Sequence, residues 1–280
     1  MHDQAFRLRD LVRRTVELHP PLAPAAPVVV VSGGRPGAGA AVLTCQLGRE
    51  LARLGKRVAL VDADPAGPAL TQRLAPDFSR QTRGCLADVA AGRRRAAETL
   101  AAIDDRLRLL PGFPAGGLAA AEAADMPRLL REIKAVGEAA DLVLVDAGGG
   151  MSPWVDQCWQ LAEEILLVSR HDAVSVREAY RTIKLARWQQ LQHRLRLVIE
   201  GEEPTPRCAA AGERLAATCR DFLALEVRGC SGVTTRGREA WGRSASPTAE
   251  DPQFVRSVRL LATDLLCDDG LGAASPRAAG

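Results

Sequence analysis

The sequence predicts an α/β domain with a mostly parallel, doubly wound sheet. Three observations predict it. Short apolar runs alternate with helical stretches along the chain. The first run, Val28–Val31, is four β-branched residues long, the pattern of a strand covered on both faces. A Gly-rich turn joins that run to a helix and then to a second strand, which makes a βαβ unit. A length of 280 residues suits one large domain with a small appendage. With 47% hydrophobic and only 4% aromatic residues, the core must be built from Ala, Leu and Val.

Taken in order, residues 3–18 read as an amphipathic helix. Ala5, Leu8, Leu11, Val12 and Val16 recur at helical spacing among Arg7, Arg9, Arg13 and Arg14. Prolines 20, 21, 24 and 27 follow. Proline fixes φ and lacks a donor, so residues 20–27 are expected to be an extended linker that detaches helix 1–19 from a body spanning 28–267. An ordinary helix folded back on the body is the alternative.

Within the body, a helix is expected from Ala40 to Leu54, with Gly55 at its C-terminal cap. Strand Arg57–Val61 then ends in Asp62-Ala63-Asp64-Pro65. Further strands are expected at Leu107–Leu110, Leu142–Val145 (ending at Asp146), Ile165–Val168 and Leu195–Ile199. Helices are expected at Leu86–Ala91, Met126–Ala140, Val176–Gln192, Pro204–Phe222 and Phe254–Leu266. The small, polar tail 268–280 is expected to be disordered.

Composition excludes several classes. A net charge of +3, with scattered arginines and no interleaved aromatics, gives no case for nucleic acid. Seven scattered cysteines, odd in number and without a C-x-x-C pair, favour free thiols over a zinc site or disulfide framework. The charged start has no apolar h-region, and no stretch nears the roughly 18 apolar residues of a membrane span. A cytoplasmic protein is expected.

The turn reads Ser32-Gly33-Gly34-Arg35-Pro36-Gly37-Ala38-Gly39-Ala40-Ala41. A Gly-rich turn between a buried strand and a helix aims backbone N–H groups at an anion. In working phosphate loops, a lysine beside the last glycine neutralises the β- and γ-phosphates, and a following Ser or Thr holds Mg²⁺. Here those positions are Ala40 and Ala41, and residues 1–55 contain no lysine. Pro36 removes one further N–H. Taken alone, the turn fits either a degenerate phosphate loop or an ordinary α/β connection.

Residues 28–70 resemble the opening unit of the MinD/ParA deviant-Walker ATPases, which carry GKGGxGK[ST], a helix ending near LGKRV and a strand closing with DADP. The resemblance implies a P-loop NTPase fold of the MinD-like type. It places Arg35 at the signature lysine that crosses a dimer, Asp64 at the water-orienting aspartate and Asp146 at the Walker B-type aspartate. Each acid is also a plausible turn former or helix cap.

Four further stretches resemble the FlhG/FleN group of flagellar-number regulators. They are Asp3-Gln4-Ala5 with Leu8 and Arg9, then Gly84–Gly92, Asp146–Ser152, and Glu178-Ala179-Tyr180 with Ile183 and Lys184. The resemblance implies that Asp3, Gln4, Ala5, Leu8 and Arg9 bind an FlhF-like, signal-recognition-type GTPase, and that Gln4 serves its catalytic centre. It also implies flagellar switch or transcriptional partners, a place at the inner membrane face or cell pole, and weak or indirect membrane contact. Glu200 stands where the family carries an adenine-reading Asn. Glutamate offers only acceptors when ionised.

The expectation is therefore a pseudo-ATPase that regulates flagellar number or placement through protein contacts. Its ATP and Mg²⁺ binding would be weak or lost, its catalytic residues would not be identifiable, and it would be a monomer without ATP. Two alternatives stand: a weak ATPase using Arg35, and a scaffold for another cell-envelope or secretion machinery. The final helix is expected to pack on the body, with a membrane surface as alternative. His171-Asp172 lacks a neighbouring nucleophile. Trp154 suits either a partner anchor or the core. Arg93-Arg94-Arg95 suits a solvated face.

Overall fold

The computed structural model describes residues 26–75, 84–114, 126–186, 194–201, 206–234 and 251–267. The expected helix 1–19, linker residues 20–25 and the tail 268–280 lie outside the described residues.

The first unit is β1 (Val28–Gly33), α1 (Ala40–Arg53) and β2 (Val58–Asp62). All six β1 residues are buried, because sheet neighbours and helices on both faces enclose the β-branched run. Next come α2 (Ala69–Leu74), α3 (Leu86–Ala90), α4 (Ala96–Thr99), β3 (Ala101–Ala102) and β4 (Leu107–Leu110). They are followed by α5 (Met126–Ala135), β5 (Leu142–Gly149), α6 (Pro153–Leu161) and β6 (Glu164–Arg170). The described chain closes with α7 (Ala173–Leu185), β7 (Leu195–Gly201), α8 (Pro206–Leu223), β8 (Gly229–Thr234) and α9 (Pro252–Cys267).

The strand order is β3-β4-β2-β5-β1-β6-β7-β8. All neighbours pair in parallel except β3 with β4. This is the doubly wound sheet that the sequence predicts. Two apolar clusters line its two faces, one including residues of α5, α6, α7 and α8, the other residues of α1 and α9.

Two expected helices need correction. The helix expected over Met126–Ala140 ends at Ala135 and continues as a 3-10 turn, Val136–Ala139. Gly137 lies there against Ala26, where an added Cβ would meet the Ala26 nitrogen at 3.0 Å. The helix expected over Val176–Gln192 instead spans Ala173–Leu185. Asp172 starts it early by accepting a hydrogen bond from the Ser175 nitrogen at 3.0 Å. Sequence periodicity also misses α6 and β8. In α6, Ser152 caps the first turn by accepting from the Val155 nitrogen at 3.2 Å, with Pro153 at the start of the helix.

The last helix packs on the body, as expected. Phe254, Val258, Leu261, Ala262 and Leu265 are buried. Arg259 Nε donates to Glu50 Oε2 of α1 at 2.7 Å, and Glu50 is fully enclosed. Arg53 also pairs with Glu50. No helix among the described residues is long and apolar enough to cross a membrane.

Candidate functional site

The C-terminal ends of β1, β2, β5, β6 and β7 converge on one edge of the sheet, the edge at which open α/β sheets place ligands. There the loop between β1 and α1 meets the ends of β2 and β5 around a cleft of about 320 Å³.

The loop is held from behind. The Gly34 nitrogen donates to the Val168 carbonyl at 2.8 Å, and Thr182 Oγ1 donates to the Gly34 carbonyl at 2.9 Å. A Cβ on Gly34 would meet the Ala179 Cα at 2.8 Å, so glycine lets the loop lie directly on α7. The Gly150 nitrogen donates to the Gly33 carbonyl at 2.9 Å. Gly37 and Gly39 adopt φ of 73° and 100°, the left-handed region that side chains avoid.

Arg35, Gly37, Gly39, Ala40, Ala41 and Asp64 all line the cleft, as do Arg73 and Glu200. Gly34, predicted with them, instead faces α7. Ala40 and Ala41 open α1 with methyl groups alone. Arg35 lies on the loop itself, and its buried Nε has no hydrogen-bond partner among the described residues.

Opposite the loop lie three acids. Asp62 and Asp146 stand in register on β2 and β5, both fully buried. Asp62 Oδ2 accepts from the Thr71 nitrogen at 2.7 Å and from Thr71 Oγ1 at 2.6 Å. Burial pushes the Asp62 carboxyl up to about 6 despite these bonds. Asp146 Oδ1 accepts from the Gly148 nitrogen at 3.1 Å. Burial, and then the neighbouring Asp62, drive its carboxyl well above the usual carboxylate range. Asp62 Oδ1 and Asp146 Oδ2 have no hydrogen-bond partner among the described residues. Asp64 is also raised by burial. Its Oδ1 accepts from the Ala66 nitrogen at 2.8 Å, so it also shapes the turn it sits in. Asp146, expected to close its strand, lies instead within β5, which runs on to Gly149, and it does not line the cleft.

Two tryptophans of α6 suspend both sides of the cleft. Trp159 Nε1 donates to Ser32 Oγ at 2.9 Å, at the end of β1. Trp154 Nε1 donates to the Ala63 carbonyl at 2.7 Å, just before Asp64. Trp154 also meets Phe113 edge-on, with ring centroids 6.1 Å apart. Both indoles are fully buried, which removes the partner-anchor reading of Trp154.

Glu200 is the residue whose place the sequence leaves least legible. It reaches from the end of β7 onto the loop, and is 5% exposed. A Cβ built on Gly39 would clash with Glu200 Oε1 and lie 3.1 Å from its Cδ. Its carboxylate therefore rests on the last glycine of the cradle. The neighbouring His171 has Nδ1 3.3 Å from the Glu200 carbonyl. The carboxylate of Asp172 is engaged by Ser175, at 3.0 Å from the nitrogen and 2.8 Å from Oγ, as a helix cap rather than half of a catalytic pair. Arg93 is exposed and pairs with Asp88 at 2.7 Å, a solvated contact. Among the described residues, no three His, Cys, Asp or Glu side chains are arranged to hold a metal ion.

A Gly-rich turn between the central strand and a helix, faced by aspartates on two neighbouring strands, defines a P-loop-type nucleotide-binding fold. Residues 29–197 match the CobQ/CobB/MinD/ParA nucleotide binding domain family, and the chain belongs to it. The antiactivator FleN of Pseudomonas aeruginosa is 31% identical over 160 residues, covering 56% of this chain and 55% of that protein. The septum site-determining protein MinD of Bacillus subtilis is 27% identical over 180 residues, covering 61% and 63% respectively. The chain thus spans less than two thirds of the length of either relative.

Among solved structures, MinD in the MinC:MinD cell division protein complex of Aquifex aeolicus superposes with a TM-score of 0.68 at 21% identity, covering 91% of this chain and 99% of that one. MinD of Pyrococcus horikoshii complexed with Mg-ADP gives 0.68 at 19% identity, covering 89% and 98%. These likenesses show the fold.

Proposed function

We propose that this protein is a pseudo-ATPase of the MinD/ParA class that works through protein contacts, with ATP and Mg²⁺ binding weak or lost. The observation that carries the reading is the loop's missing functional groups. Where the terminal phosphates need an ammonium group and Mg²⁺ needs a hydroxyl, Ala40 and Ala41 present methyl groups. Glu200 adds a carboxylate against Gly39. A magnesium nucleotide carries negative charge into the cleft, so this donor set does not fit it.

The similarity to FleN extends the proposal to regulation of flagellar number or placement. Under it, residues 1–19 contact and stimulate an FlhF-like GTPase, and the body meets flagellar or transcriptional partners. Without ATP to bridge two copies, the protein is a monomer. The test is calorimetry with ATP and Mg²⁺, together with a phosphate-release assay on the full chain. No measurable heat and no release above buffer are expected. Tight Mg²⁺-dependent binding overturns the reading. Deleting residues 1–19 is expected to abolish GTPase stimulation; stimulation that survives the deletion overturns the role of that segment, and a full chain that gives no stimulation points to a scaffold for other machinery.

One observation favours a second reading. Arg35 lines the cleft with its Nε unpartnered, the position from which a guanidinium would serve a weak ATPase. Phosphate release that falls on Arg35→Ala would select it.

A further inference from the structure

The cradle has an acidic neighbour from another strand. β7 carries Glu200 to the sheet edge in register with Arg170 of β6 and Val233 of β8. From there its carboxylate reaches Gly39 and is 5% exposed. Gly39 is held in the left-handed region at φ 100° and caps α1 without any side-chain hydrogen bond. The helix start therefore presents its backbone donors to whatever lies over Gly39. A helix N-terminus favours negative charge through its free N–H groups and its dipole. Glu200 places a carboxyl group there from within the chain.

We propose that Glu200 is a built-in anion of the loop, which turns polyphosphates away by charge as well as by bulk. The inference rests on the pseudo-ATPase reading and names the residue that enforces it. Two like charges brought to contact distance in a partly desolvated cleft repel strongly. A terminal phosphate seated on this loop would meet the Glu200 carboxylate at once. The loss of lysine and hydroxyl then accounts for only part of the exclusion. A lysine at position 40 would sit beside a resident carboxylate, where an internal ion pair competes with any phosphate.

The experiment adds the missing groups back with and without the acid. ATP–Mg²⁺ and pyrophosphate affinities are measured by calorimetry for the full chain, for Ala40→Lys/Ala41→Thr, and for that double variant carrying Glu200→Gln or Glu200→Ala. The double variant alone is expected to bind at least tenfold more weakly than either form lacking the carboxylate. Glu200→Gln keeps the shape and removes the charge, so it separates repulsion from bulk. Thermal melts check that each variant is folded. Equal affinity whether residue 200 is Glu, Gln or Ala, including no binding in any of them, overturns the proposal. Tight binding by the unaltered chain would instead overturn the pseudo-ATPase reading, so the two failures are distinct.

Discussion

The two walls of the cleft have been treated differently. The wall made by the ends of β2 and β5 keeps its full set of acids, tied into place by Thr71, Gly148 and Ala66. The loop wall keeps its glycine backbone and its anchors to Val168 and Thr182, yet Ala40 and Ala41 put methyl groups at the start of α1, leaving Arg35 as the loop's cationic side chain. Backbone shape and side-chain chemistry are thus separable. The glycines and the strand ends are needed for the sheet to close and for α1 to start. The lysine and hydroxyl are needed only for the nucleotide.

The strongest way to break this comparison is to cut the supports of each wall. Trp154→Ala removes a buried indole from the acid side, and Trp159→Ala removes one from the loop side. Each is expected to cost roughly 3–5 kcal/mol in urea unfolding, with similar losses because both indoles hang on α6. A loss confined to one of them would show that the walls are not held in common.

A smaller effect sharpens the difference. The folded-state carboxyls of Asp62 and Asp146 lie above their unfolded value, Asp62 at about 6. Their contribution to stability is therefore fully present below the unfolded value near 3.8 and is lost as pH rises through about 6 and beyond. Asp146→Asn imitates the protonated acid. It is expected to raise the melting temperature at pH 8, and to change little at pH 4. A loss of stability at pH 8 would mean that the ionised pair is held by something other than repulsion and burial.

The smallest effect is expected at the cleft surface. Asp64→Ala removes one turn-forming bond to the Ala66 nitrogen and is expected to cost about 1 kcal/mol in thermal melts. Phosphate release should be unchanged at the buffer level. A release rate that falls with this substitution would make Asp64 a working catalytic group and overturn the proposed pseudo-ATPase.

Much of this was legible from residue order. The β-branched run at Val28–Val31 and the Gly-rich turn after it locate the central strand and the cradle, because burial on both faces and positive φ each demand particular residue types. Asp64 and Asp146 were readable as acids after apolar runs for the same reason. Asp62 was visible beside Asp64, but its pairing with Asp146 depends on sheet register, which no local pattern carries. Glu200 lies 161 positions after Gly39 in the numbering, and only the β1-β6-β7 neighbourhood brings it to the loop. The α6 helix does carry an apolar stripe, Trp154, Val155, Cys158 and Trp159, but it is only nine residues long and opens on Pro153, so it reads as part of the loop after Asp146. Residues 1–19, where the sequence resembles a partner-binding motif, lie outside the described residues.

The Glu50–Arg259 bond has a mechanical consequence. It fastens the end of the described chain to the helix that springs from the loop. Peeling α9 away, to lie on a bilayer or on another protein, would expose five apolar side chains and take Arg259 from Glu50, leaving that carboxylate to Arg53 and Gln46 of its own helix. Any ligand that levers α1 at its loop end also tugs this latch, so pulling on one end of the molecule is felt at the other.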